Sequence, residues 1–159
     1  MKNDVTTFLN KLGIEYRTIN HPAVFTVSDI EKLDENVKPI KNLLLRENDG
    51  DKMFLIVAAG DARINMQLIR EKFNSKRLCF ANADTLMQTF RVTPGSVSIF
   101  CMMNSGASDV KVLIDETLMN DEELGFHPNE NTSTVLFTSD NLCPVLDGMK
   151  CDYTIMKLY

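Results

Sequence analysis

The chain has 159 residues, 44% of them apolar and 25% charged, with a formal net charge of −5. That length suits one domain, 1–159, since single cores commonly take roughly 100–200 residues, and the apolar share supports folding without disulfides or a structural metal. The acidic balance argues against an extensive nucleic-acid footprint, but a single-stranded end held by a few local contacts is still allowed.

Residues 4–12 set Val5, Phe8, Leu9 and Leu12 at helical spacing, with Gly13 as a C-cap. Ile14 to Ile19 alternates like a strand until His21-Pro22 breaks it. Ser28 followed by Glu31 resembles a capping box and predicts a short helix over 29–35. Ile40 to Arg46 and Met53 to Ala59 read as strands joined by the hairpin residues Asn48-Asp49-Gly50-Asp51. Helices are predicted over Asn65 to Phe73 and Ala83 to Phe90, flanking a short strand at Arg77 to Phe80. Val97 to Met103 and Val110 to Ile114 read as strands joined by the loop 104–109, and Thr134 to Thr138 as another. Ser139 or Asp140 is placed to cap a last helix that tolerates Pro144 early, and Tyr153 to Leu158 closes as a strand. Without strict β-α-β alternation, the pattern predicts an α+β domain with a mixed, largely antiparallel, barrel-like sheet flanked by helices.

Several chemistries are missing. No stretch approaches the ~20 apolar residues of a membrane span, and the N-terminus leads into an amphipathic segment instead of a signal-peptide core. A cytoplasmic protein without a membrane partner is expected. The four cysteines (Cys79, Cys101, Cys143, Cys151) form no Cys-x-x-Cys pair, and there are two histidines. Neither a metal site nor a cofactor is expected. There is no nucleotide-phosphate loop, dinucleotide fingerprint, nucleophile elbow or zincin motif. The basic run Arg70, Lys72, Lys76, Arg77 is compatible with phosphates, although a solvated helix end explains it as well.

Three segments stand out. Lys41-Asn42 opens an otherwise apolar strand, where an ammonium must reach water or an anion. Thr93-Pro94-Gly95-Ser96-Val97-Ser98 is a glycine turn whose backbone N–H groups suit an oxyanion, or it is a plain turn. Gly125 to Thr132 gathers a histidine, two asparagines and a hydroxyl in one loop, which fits a site or a satisfied structural histidine.

In this order the segments resemble the prolyl-tRNA editing domains, the YbaK-like domains also inserted in bacterial prolyl-tRNA synthetases. The similarity runs from His21-Pro22-Ala23-Val24-Phe25-Thr26-Val27 through Lys41-Asn42-Leu43-Leu44-Leu45-Arg46 and Arg77-Leu78-Cys79-Phe80-Ala81. It continues over Pro94-Gly95-Ser96-Val97 and the Asn104 turn to His127-Pro128-Asn129-Glu130-Asn131-Thr132-Ser133-Thr134. The free-standing length looks most like the branch that deacylates alanyl-tRNA for proline. The resemblance implies hydrolysis of the aminoacyl ester by water, with no covalent intermediate, metal or cofactor. Lys41 would anchor the phosphate or ribose of the terminal adenosine, supported by Asn42. Gly95, Ser96 and Val97 would stabilise charge developing on the ester carbonyl. His127 would line the aminoacyl pocket with Asn129, Asn131 and Thr132, and the matches at His21, Thr26 and Asn104 make these further substrate-binding candidates. The implied partner is the acceptor end of proline tRNA, with prolyl-tRNA synthetase as a second candidate.

A pocket for proline rejects alanine weakly, since each missing methylene is worth only ~1–3 kcal/mol, so a second sieve is useful. The family often has Gly-Ser-Val-Thr-Pro where this chain reads Gly95-Ser96-Val97-Ser98-Ile99. Losing that proline frees an N–H and relaxes the backbone, which bears on which amino acid is accepted. Cysteinyl-tRNA or another small mischarged amino acid is the alternative substrate. A non-catalytic module binding tRNA ends or a synthetase, and a thiol redox protein, are alternatives of other classes.

Overall fold

The computed structural model describes residues 2–23 and 38–159. Thr26 and the helix predicted over 29–35 lie outside the described residues.

Helix α1 (Lys2–Leu12) buries Val5 and Leu9 completely. It ends where Gly13 takes φ +72° and Ile14 N–H bonds back to Leu9 O at 3.1 Å. Strand β1 (Arg17–Asn20) is shorter than the alternation predicts. Strands β2 (Ile40–Glu47) and β3 (Met53–Ala59) form the predicted hairpin, with Lys41 opposite Ala58 and Arg46 opposite Met53. Helices α2 (Met66–Phe73) and α3 (Ala83–Phe90) start where the side chains of Asn65 and Asn82 accept from Gln67 and Thr85 N–H. Between them runs β4 (Leu78–Phe80). Then follow β5 (Val110–Asp115), β6 (Glu123–Phe126), β7 (Ser133–Thr138), α4 (Leu142–Gly148) and β8 (Tyr153–Met156).

The strands make two sheets, one ordered β4-β2-β3-β5-β8 and the other β1-β7-β6. The β3–β5 and β5–β8 pairings are parallel and the remaining four are antiparallel. The α+β class is as predicted. The barrel-like form is not: among the described residues β4 and β8 bound one sheet, β1 and β6 the other, and no pairing joins them. The sheets pack face to face instead, through Ile40, Leu44, Leu55 and Val57 from one and Leu124, Phe126, Val135 and Phe137 from the other. On the opposite face of the larger sheet, Leu45, Phe54, Ile56 and Ala58 pack against Ile69 of α2. Covered on both sides, β3 is buried from Phe54 to Ala58, which is why it reads as an unbroken apolar run.

Three further expectations need correction. The strand predicted over Val97 to Met103 is a 3-10 helix, Ile99–Met103. Ile99, Phe100 and Cys101 are all fully buried, and a short run buried all round does not reveal its period. Ser98 decides the outcome: its hydroxyl accepts from Phe100 N–H at 3.2 Å, while its own N–H reaches Cys101 Sγ at 3.4 Å. Second, β6 is a strand not among those predicted; Leu124 and Phe126 alternate inward behind the polar run Asp121-Glu122-Glu123. Third, Ser139 and Asp140 lie within a 3-10 turn, so Asn141 stands at the N-cap of α4.

Candidate active site

The glycine turn and the histidine loop meet. Gly95 takes φ +93°, a conformation that L side chains rarely adopt. The turn closes through Ser96 N–H to Thr93 O at 3.1 Å, so the Ser96 N–H is spent internally. Among the described residues, the N–H groups of Gly95 and Val97 have no partner. Just beyond, the buried Ser98 hydroxyl donates to His127 O at 2.5 Å. Below the junction, the rings of Phe100, Phe126 and Phe137 pack with centroids 5.6–6.5 Å apart. They seat the 3-10 helix on β6 and β7.

The imidazoles are oriented by backbone. His127 Nδ1 lies 3.0 Å from Ser133 O, and a carbonyl only accepts, so Nδ1 carries the proton and Nε2 keeps its lone pair in the neutral ring. Burial lowers the His127 pKa; the Ser133 bond opposes this, and nearby His21 adds slightly to the lowering. His21 lies 5.9 Å away, centroid to centroid, with Nδ1 on Pro22 O at 2.8 Å and Nε2 on Thr134 Oγ1 at 2.8 Å. Its N–H bonds Thr132 O at 2.9 Å, extending the β1–β7 ladder. Asn129, at φ +63° and 7% exposed, donates from Nδ2 to Phe100 O at 3.3 Å, while its buried Oδ1 has no partner. Asn131 is half-buried and Thr132 exposed in the same loop.

The strand pair Lys41-Asn42 divides across β2. Asn42 points with Ile40 and Leu44 toward the inter-sheet core, and its buried Oδ1 is unpartnered. Lys41 shares the other face with Leu43 and Leu45, and its ammonium donates to Ala62 O. Asn104 is occupied: its Nδ2 donates to Phe90 O at 2.7 Å and Cys101 O at 3.1 Å, tying the end of α3 to the 3-10 helix. A separate cleft of about 190 Å³, lined by Lys52, Met53, Phe54, Phe73, Asp109 and Lys111, opens at the end of the β2–β3 hairpin away from Lys41. Two further residues matter here, Ser98 and Thr134, to which the resemblance assigns no role. A serine directly before an unbroken apolar run is the cap signal that identifies the first.

The absent family proline is also explained. Ile99 is the first residue of the 3-10 helix, a position that suits proline but does not require it. The Ser98 capping bonds hold the turn in its place.

Residues 21–143 match the aminoacyl-tRNA editing domain, and every candidate residue falls inside that segment. The chain belongs to the aminoacyl-tRNA editing domain family. Membership makes it an aminoacyl-tRNA deacylase, a carboxylic ester hydrolase. A prolyl-tRNA editing protein, ProX, of Acetoanaerobium sticklandii is 36% identical over 143 residues, covering 89% of this chain and 87% of its own. The mouse prolyl-tRNA synthetase associated domain-containing protein 1 is 26% identical over 136 residues, covering 80% and 78%. Among solved structures, hypothetical protein APE2540 superposes with a TM-score of 0.75 at 15% identity, covering 99% of each chain. A protein described as a candidate trans-editing enzyme for prolyl tRNA synthetase gives 0.72 at 14% identity, covering 99% and 97%. These two share the editing domain's fold. No helix of the described residues is long and apolar enough to cross a membrane.

Proposed function

We propose that this editing domain hydrolyses mischarged aminoacyl-tRNA(Pro) in trans, with alanyl-tRNA(Pro) as its substrate, and that residues 1–159 act as one unit in the cytoplasm. The observation that carries the reading is the Ser98–His127 bond, which joins the turn bearing two unpartnered N–H groups, Gly95 and Val97, to the loop that carries the His127 imidazole. The 36% identical relative named as a prolyl-tRNA editing protein supports the choice of tRNA.

In this reading water adds to the ester carbonyl carbon, and negative charge gathers on the carbonyl oxygen. Gly95 and Val97 N–H groups hold that oxygen, which strengthens binding as the transition state forms. The tetrahedral intermediate then expels the ribose oxygen, which takes a proton, leaving free alanine and tRNA. His127 Nε2 accepts from the aminoacyl-adenosine, either its α-ammonium or its ribose hydroxyl. Asn42 and Asn129 supply carboxamide oxygens that lack partners. Lys41 meets the phosphate of the terminal nucleotide, since its bond to Ala62 O leaves two ammonium hydrogens free. His21 buttresses His127, while Asn131 and Thr132 shape the wall. Neither a metal nor a cofactor enters the scheme.

The test presents alanyl-tRNA(Pro) and cysteinyl-tRNA(Pro) side by side. Faster release of alanine is expected; a preference for cysteine transfers the domain to that substrate. Lys41→Ala is expected to abolish most turnover, and a wild-type protein that releases neither amino acid would leave only a tRNA-end or synthetase-binding role.

A further inference from the structure

The edge strand β4 ends in Phe80, 62% exposed, more than any other large apolar residue described. A lone exposed apolar side chain is ordinary on a protein surface. What distinguishes Phe80 is its place. The antiparallel registers set Phe80 opposite Leu45, and Lys41 stands four residues back along β2 on the same face. At about 3.3 Å per residue, that separates Lys41 from the Phe80 position by roughly 13 Å along the strand. Half-buried Leu43 fills the interval. The strip is therefore an ammonium, an apolar floor and an exposed aromatic ring, in line along what is, among the described residues, the edge of a sheet.

We propose that Phe80 is a stacking platform for an unpaired base of the tRNA acceptor end, one that precedes the terminal adenosine. The inference rests on the reading of Lys41 as the anchor of the terminal nucleotide. The span exceeds what one nucleotide covers from phosphate to base, so the base on Phe80 belongs to a neighbouring nucleotide. A nucleic-acid strand is the occupant that matches charge at one end and a π face at the other. Stacking on an aromatic ring tolerates any base, and the side chain of Leu43, which lies between the two residues, has no polar atom to read sequence. Such a contact also suits a chain of net charge −5, which grips by few local contacts.

The experiment compares wild type, Phe80→Ala and Phe80→Trp on an alanylated acceptor-stem minihelix and on 3′-alanyl-adenosine. F80A is expected to raise KM for the minihelix about ten-fold, with kcat unchanged and 3′-alanyl-adenosine handled as by wild type; F80W restores KM. Because the chain has no tryptophan, the fluorescence of F80W reports the contact directly. Quenching by uncharged minihelix is expected, and its loss when the nucleotides preceding the adenosine are abasic. Unchanged KM in F80A, an equal loss on 3′-alanyl-adenosine, or quenching indifferent to the abasic substitution would each overturn the platform. If wild type deacylates nothing, the deacylase substrate reading fails on its own, and the quenching measurement still decides the role of Phe80.

Discussion

The Ser98 hydroxyl donates to the main-chain carbonyl of His127 at 2.5 Å while accepting from Phe100 N–H at 3.2 Å. One buried oxygen thus fixes both the start of the 3-10 helix and the position of the imidazole loop. Ser98→Ala leaves a buried donor and a buried acceptor unpaired, an expected loss of about 1–3 kcal/mol of stability. Chemical denaturation should show a lowered midpoint. Deacylation should fall in kcat more than in KM, and Ser98→Thr, which keeps the hydroxyl, should recover most of both.

His127 makes a prediction in pH. Its folded pKa lies below the ordinary 6.5, chiefly through burial, so the unfolded chain binds the proton more readily. Stability from this group is complete above the unfolded value and is lost as pH falls from there through the lowered folded value. Imidazole NMR titration should place the His127 midpoint below 6.5, with Nδ1 protonated in the neutral ring. His127→Ala should reduce kcat/KM about ten-fold or more, in line with losing one hydrogen bond of ~1.5 kcal/mol.

Glu47 is a buried carboxylate that accepts the N–H groups of Lys52, at 2.9 Å, and Lys76. Those two backbone bonds lower its pKa. Its contribution is therefore present above the unfolded carboxylate value and is lost as pH falls through the folded one. Glu47→Gln should flatten the acid limb of the stability profile. Gly50→Ala probes the same clamp, because an added Cβ would lie 2.6 Å from Glu47 Oε1. A lower thermal midpoint is expected for G50A, with less change when it is made in the Glu47→Ala background.

The thiols offer a test of the redox alternative. Burial pushes Cys101 up to about 12, and burial with Asp147 pushes Cys151 up to about 11. Neither is a nucleophile near neutral pH. Mass spectrometry after iodoacetamide treatment at pH 8 should find both unmodified in the native protein, with deacylation retained. Rapid alkylation of Cys101 in the fold would contradict its burial.

Period and punctuation were enough for most elements. The apolar runs of β2 and β3, with Asn-Asp-Gly-Asp between them, announce the hairpin, and Asn65 and Asn82 mark their helices by cap chemistry. Ile99–Met103 reads as a strand because nothing in its period separates a buried strand from a buried 3-10 turn; the bonds of Ser98 do. The site divides the same way. The meeting of the glycine turn with the histidine loop depends on a tertiary bond between Ser98 and His127, which no local spacing announces. Asn104 is a matched position whose Nδ2 bonds to the Phe90 and Cys101 carbonyls no local pattern announces. Which face of β2 presents Lys41 and which Asn42 follows from the pleat once the inner face is known.

The smaller sheet has a consequence for how the protein is made. Its first strand, Arg17–Asn20, has its ladder partner at Ser133–Leu136, and Arg17 also reaches Glu123, 106 residues away. Half of the inter-sheet core and both histidines therefore wait for late-synthesised segments. On the ribosome, a nascent chain stopped before Ser133 would lack β7, the central strand of the smaller sheet, and would carry the β2–β3 hairpin without that sheet assembled on its apolar inner face. Chaperone occupancy should persist until that point and drop sharply after it.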